Sequence, residues 1–171
     1  HAGSGEVYTS DDNALRRYDA SGTLLASNTN PNADIMAATG QTGLIHLCDI
    51  CIVGDWLIVP TNDYPGTTKC AIAVFDRTTL ALVAATNVSA TEPKISGICW
   101  NDDLQQLVTC NWGTFSTLFK FDLNLSTGAI TANGTITLNR ISASGSLNSA
   151  AQGIEWWRGH YWISDDSRDE V

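Results

Sequence analysis

Positive charge is what this chain has least of. Nine Lys and Arg stand against eighteen Asp and Glu in 171 residues, a formal net charge of −9, and lysine occurs only at Lys69, Lys94 and Lys120. Nucleic-acid binding takes most of its affinity from basic side chains that neutralise phosphates, so no nucleic acid is expected as a partner. The one basic pair, Arg16-Arg17, reads as decoration on the exposed side of a strand. Long apolar runs are missing too. The best candidate, Leu44 to Pro60, is broken by Asp49, Gly54 and Asp55, and a spanning helix needs about 18 or more apolar residues in a row. No membrane insertion is expected, and no stretch reads as a signal peptide. The chain starts at His1 rather than Met, as expected of a processed subunit or a piece of a longer protein.

Catalytic signatures are equally scarce: there is no nucleophile elbow, no P-loop and no HExxH. Cysteines number five, an odd count that leaves at least one unpaired. Cys48-Asp-Ile-Cys51 has half the spacing of a zinc ribbon, but no second CxxC completes it, and residues three apart on a strand point to opposite faces. These thiols read as small buried hydrophobes. A Cys99–Cys110 bridge between neighbouring strands stays open at this stage.

What the chain does contain is an ordinary globular balance, 43% hydrophobic and 16% charged, with Ser, Thr, Asn and Gly in the positions where strands turn. One stretch recurs. Gly153-Ile-Glu-Trp-Trp-Arg-Gly-His-Tyr-Trp-Ile-Ser-Asp-Asp-Ser167 is an apolar strand, a turn, an aromatic-led strand and a polar pair. Asp49 to Asp63 matches it in step, Gly97 to Asn111 matches it with a longer turn, and Glu6 to Asp12 keeps its second half. The closing polar residues, Asp11, Asn62, Asn111 and Asp165, lie 51, 49 and 54 residues apart. A period near fifty made of short strands is that of β-propeller blades.

The expected fold is therefore all-β, with propeller-type blades of four-stranded antiparallel meanders and about three and a half blades in this chain. The units span about 6–27, 44–86, 95–137 and 150–171, with a single inner strand over Leu44–Val53 and one helical turn at most over Ala33–Thr39. Long connections are expected at 28–43 and 139–148. An aromatic followed by Asp closes three third strands, at Tyr18-Asp19, Phe75-Asp76 and Phe121-Asp122; the aromatic should pack between sheets while Asp opens the next turn. Trp56, Trp100, Trp156 and Trp162 should also pack between blades, leaving Trp112 and Trp157 as ligand contacts. A ring this incomplete exposes sheet edges and apolar faces, so other chains of the same assembly, or further blades, are expected to close it.

The strings Gly153-Ile-Glu-Trp, Tyr161-Trp-Ile-Ser-Asp-Asp166 and Tyr18-Asp-Ala-Ser-Gly22 resemble blade repeats of the broad YncE, NHL and SMP-30/gluconolactonase-like group of propellers. That resemblance implies blades and turns over nearly the whole chain, and no single function. Lactonase-like members of the group hold a divalent cation in the channel, which makes a metal-dependent hydrolase the rival to a binding module. Similar propellers decorate phage particles, and the Lys-poor, Thr- and Asn-rich composition fits an extracellular or virion-surface setting.

The blade geometry gathers connections on one rim. Asp11, Asp12, Asn62, Asp63, Tyr64, Asn111, Trp112, Asp165 and Asp166 fall there, with His46, Glu92 and Gln152 nearby. Such oxygens and rings suit a carbohydrate or protein partner, adhesion to a receptor, or Ca²⁺. Asp49, Glu92 and Glu155 are the metal-ligand candidates for the hydrolase reading; no cofactor is required by the binding one. Tight turns select Asp and Asn in any case, so the rim competes with plain turn chemistry. A role limited to subunit contacts is the third reading.

Overall fold

The computed structural model describes residues 5–66, 68–112, 116–138 and 151–165. Among them the chain is almost entirely antiparallel sheet. The first sheet is β1 (Val7–Asp11), β2 (Ala14–Tyr18) and β3 (Leu24–Asn28), paired in that order. Helix α1 (Pro31–Thr39) leads to the second sheet. There β4 (His46–Leu47) and β5 (Cys51–Val53) both pair with β6 (Trp56–Asn62), followed by β7 (Cys70–Asp76) and β8 (Leu82–Asn87). The third is a four-stranded meander, β9 (Ile95–Asn101), β10 (Gln106–Asn111), β11 (Thr117–Leu123) and β12 (Ile130–Thr137). The fourth is the hairpin β13 (Ala151–Trp157) and β14 (His160–Asp165). The result is an incomplete ring of propeller-type sheets.

Period-two alternation decides how these sheets stack, because successive side chains of a strand face opposite neighbours. In β6, Leu57 and Val59 pack toward the first sheet with Leu15, Phe75 and Ile35, whereas Ile58 packs toward the third with Ile98, Leu107 and Phe121. In β10, Leu107 faces the second sheet while Val108 and Cys110 face Ala151 and Ile154 of the fourth. Two apolar layers therefore cover both faces of the second sheet, which explains its near-continuous hydrophobic runs.

The sheets approach closely where glycine permits it. A Cβ on Gly97 would sit 2.8 Å from Cys110 Sγ and 2.9 Å from the Gly153 and Ile154 backbone, so β9 and β13 meet there only without a side chain. Asp49 ties the same region from the second sheet: its carboxylate accepts from the amides of Ile50 at 2.9 Å and Ile154 at 3.4 Å.

Several expectations change. Leu44–Val53 is two short strands rather than one, because the chain breaks its ladder at Asp49, whose side chain turns to those amides. The helical segment is nine residues long instead of one turn: Pro31 is pre-set for a helix start, and Gly40, at φ 69°, donates its N–H to Met36 O at 2.9 Å to end it. The aromatic-Asp turn holds twice. Asp19 accepts from Ser21 N at 2.8 Å and Thr23 N at 2.9 Å, and Asp76 from Thr78 N at 3.0 Å and Thr79 N at 2.7 Å. In the third sheet β11 continues to Leu123, so Asn124 opens the turn, while Asp122 accepts from Gln106 and Asn133.

Cys99 and Cys110 form no bridge. Cys99 lies opposite Val108 and Cys110 opposite Gly97, and all five cysteines are free and buried. Trp56, Trp100 and Trp156 are partly buried against the sheets, but Trp162 is 57% exposed and stacks beside Trp157 at 6.1 Å between ring centroids. The expected connection at 139–148, Asp166 and the residues after it lie outside the described residues.

Candidate functional site

The inner strands and the connections from second to third strand converge on a cleft of about 440 Å³ at one end of the channel. Three rings form its wall. His46, at the start of β4, and Tyr64, in the loop after β6, have centroids 5.5 Å apart; Tyr64 meets Trp112, just after β10, edge-on at 5.8 Å. Lys94 places its ammonium 4.1 Å from the centroid of the Trp112 ring. The Trp112 amide donates to Lys94 O at 3.0 Å, which holds the pair in register. Cys48, Asp49, Ser96 and Gln152 complete the lining.

The cleft's polar floor is tied down before any ligand arrives. Asn62 is 6% exposed; its Nδ2 donates to Ile95 O at 3.0 Å and its Oδ1 accepts from Tyr64 N at 2.9 Å. Tyr64 itself is 47% exposed, so its ring rather than its backbone is offered to the cleft. Burial pushes the Cys48 thiol up to about 12, which removes it as a nucleophile. Desolvation also raises the Asp49 carboxyl, against the pull of the amides it accepts from.

The remaining rim residues separate into turn formers and site formers. Asp11 accepts from Asn13 N at 3.0 Å and pairs with Arg16 at 2.6 Å. Asp12 is exposed and receives His46 Nδ1 at 2.6 Å, which orients that ring. Asp63 holds its own loop together through Thr68 N and Thr68 Oγ1. Asn111 ends β10 half-buried, and its Oδ1 is buried with no hydrogen-bond partner among the described residues. Asp165 ends β14. Thus Asn62, Tyr64 and Trp112 meet at the cleft with His46 and Gln152, whereas Asp11 and Asp63 serve their turns.

Lys94 and Ser96 were not anticipated. The signal available was that Lys94 is one of only three lysines and stands immediately before an inner strand.

The metal candidates do not form a cage. Glu92 is fully buried, receives the Thr109 hydroxyl on Oε2, and leaves Oε1 without a partner among the described residues. Burial with no counter-charge raises its carboxyl to about 8, so it is held protonated at neutral pH. Asp49 is engaged with backbone amides, and Glu155 shares an open groove with it but not with Glu92. Among the described residues no group of three His, Cys, Asp or Glu is placed to hold a metal ion. A neutral acid and an amide-bound carboxylate do not suit Ca²⁺.

No family model and no curated relative matches the chain. Among solved structures it is similar to U3-55K and to the crystallised WD40 repeats of RRP9, each at 11% identity and a TM-score of 0.52 over 88% of this chain. It spans only 39% and 38% of those two chains. At that identity the likeness is one of fold: the sheets are propeller blades. The expected propeller blades are supported by this likeness, and the expected affinity to the YncE, NHL and SMP-30 group is not. The extracellular or virion-surface setting read from composition does not hold against these neighbours.

Proposed function

We propose that this chain is a non-enzymatic binding module of a propeller, taking a segment of a partner protein into the cleft walled by His46, Tyr64 and Trp112. The observation that carries this reading is the aromatic wall itself: three rings in contact, one of them half-exposed, backed by Lys94 and opening onto a floor whose polar groups are already satisfied. Rigid aromatic anchors beside an adaptable polar rim are what hot spots of protein recognition consist of. The same exposed Tyr64 ring beside Gln152 and Ser96 also supports a carbohydrate as second reading.

The module works inside a larger assembly. In the second sheet, Cys51, Val53 and Ile58 are covered by the third; the matching repeat positions in the fourth are Glu155, Trp157 and Trp162, and both tryptophans are more than half exposed. Of the face that the earlier repeats bury, Trp162 is the part left for a neighbouring sheet to cover when the ring closes.

The test is a panel of immobilised peptides and glycans probed with the wild type, Tyr64→Ala and Trp112→Ala. A bound partner should lose roughly 10- to 100-fold in affinity with either truncation, the range of a hot-spot residue. A partner that binds both variants as well as the wild type would remove the cleft from the function.

A further inference from the structure

At the opposite end of the inner strands lies a second cleft, also about 440 Å³. Its walls are Trp100 of β9 and Trp156 and Trp157 of β13, with aliphatic surface from β5, and its charged lining groups are Asp102 and Glu155. Among the described residues no Lys or Arg lines it. Indole faces attract cations, and a nearby carboxylate strengthens that attraction. One instance is already present: the Arg158 guanidinium carbon sits 4.3 Å from the centroid of the Trp157 ring. The Glu155 carboxyl is raised by desolvation; a positive charge opposes that rise, and the like charge of Asp102 adds to it. An entering cation relieves that repulsion, and Ile52 and Val53 offer the apolar surface that a methylene stem covers.

We propose that this cleft is a second binding site, for a lysine or arginine side chain presented on a basic segment of a partner protein. Charge complementarity selects the occupant: the chain carries −9 overall, and the cleft concentrates two of its carboxylates against three tryptophans. The first cleft has the reverse lining, with Lys94 at its wall, so the two sites do not compete for one ligand.

A hexalysine peptide is the probe, titrated by calorimetry and by the indole N–H resonances of the full chain. Glu155→Gln and Trp100→Leu should each weaken binding about tenfold, with the shifts confined to Trp100, Trp156 and Trp157. Asp34→Asn, on α1, removes the same charge elsewhere and should leave the affinity unchanged within about twofold. Equal losses in Glu155→Gln and Asp34→Asn would reduce the effect to diffuse attraction by net charge and overturn the site. So would hexalysine binding that moves no indole of this cleft, or moves Trp112 instead. Glu155 is exposed, so its isosteric replacement leaves the sheet intact.

Discussion

At the end of the inner strands that holds Tyr64 and Trp112, the cleft is lined by Lys94, His46 and a ring of hydrogen-bonded polar groups; at the other end it is lined by Asp102, Glu155 and three tryptophans. Both clefts have the same volume and share β9 and β13, the first adding β4 and the second β5. The difference comes from which part of the repeat each end exposes. The first end takes the polar residues that close second strands and the residues that enter first strands, Asn62, Trp112, His46 and Lys94. The second takes the ends of first strands, where the repeat places Ile52, Trp100 and Trp156 in register. A repeated backbone thus presents two unlike surfaces, because chemistry depends on position within the unit and not on the unit itself.

The sharpest way to separate the two ends is through Glu92, which lies in the core beside the first cleft's inner strand. Its carboxyl is neutral in the folded chain up to about pH 8 and ionises near 4.5 when unfolded. Below 4.5 both states hold the proton, so pH has no effect. Between 4.5 and 8 only the unfolded state releases it, and stability falls with rising pH by roughly 1.4 kcal/mol per unit, levelling off above 8. Glu92→Gln removes this slope. Denaturant midpoints at pH 5, 7 and 9 should fall steeply in the wild type and stay nearly level in Glu92→Gln; parallel curves would show that the buried acid has no such role.

A smaller effect breaks the seam between the third and fourth sheets, on the side of the first cleft. Gly97→Ala forces a Cβ into the Cys110 thiol and the Gly153–Ile154 backbone, costing about 1–3 kcal/mol as overpacking does. Hydrogen exchange should then speed up across β13 and β14 while the first two sheets keep their protection. Uniform loss of protection across all four sheets would mean that this seam does not open by itself.

The mildest test sharpens the first cleft. Lys94→Gln removes the cation over Trp112, worth about 0.5–1 kcal/mol at an exposed site. Partner affinity at that cleft should drop by a factor of roughly 2–5, and hexalysine binding at the other cleft should not change.

Much of this was readable beforehand. The repeats located all four sheets, and the Asp-led turns at Asp19 and Asp76 formed as their chemistry requires. Asp122 misled because β11 runs two residues beyond Phe121, and strand length is set by pairing with β12 rather than by the turn residue. Trp162 misled because its repeat position is an interior one, which the described sheets leave uncovered. Of the rim, Tyr64, Trp112 and Asn62 reached the cleft; Lys94 was marked only as a scarce lysine ahead of an inner strand, and its place over a ring eighteen residues away is set by tertiary packing.

The sequence by itself determined the blades, their order and the turns between them. Those follow from alternation and turn chemistry acting over a few residues, and adjacent antiparallel strands find each other through short connections. Tertiary structure alone decided which thiols, carboxylates and tryptophans ended up dry, paired or open. Glu92 is neutral because burial desolvates its carboxyl, against the Thr109 hydroxyl that favours the ionised form, and Asp49 is a tie because Ile154, 105 residues later, arrives beside it. Such placements depend on how whole sheets stack, and stacking is a sum over distant contacts that no local pattern encodes.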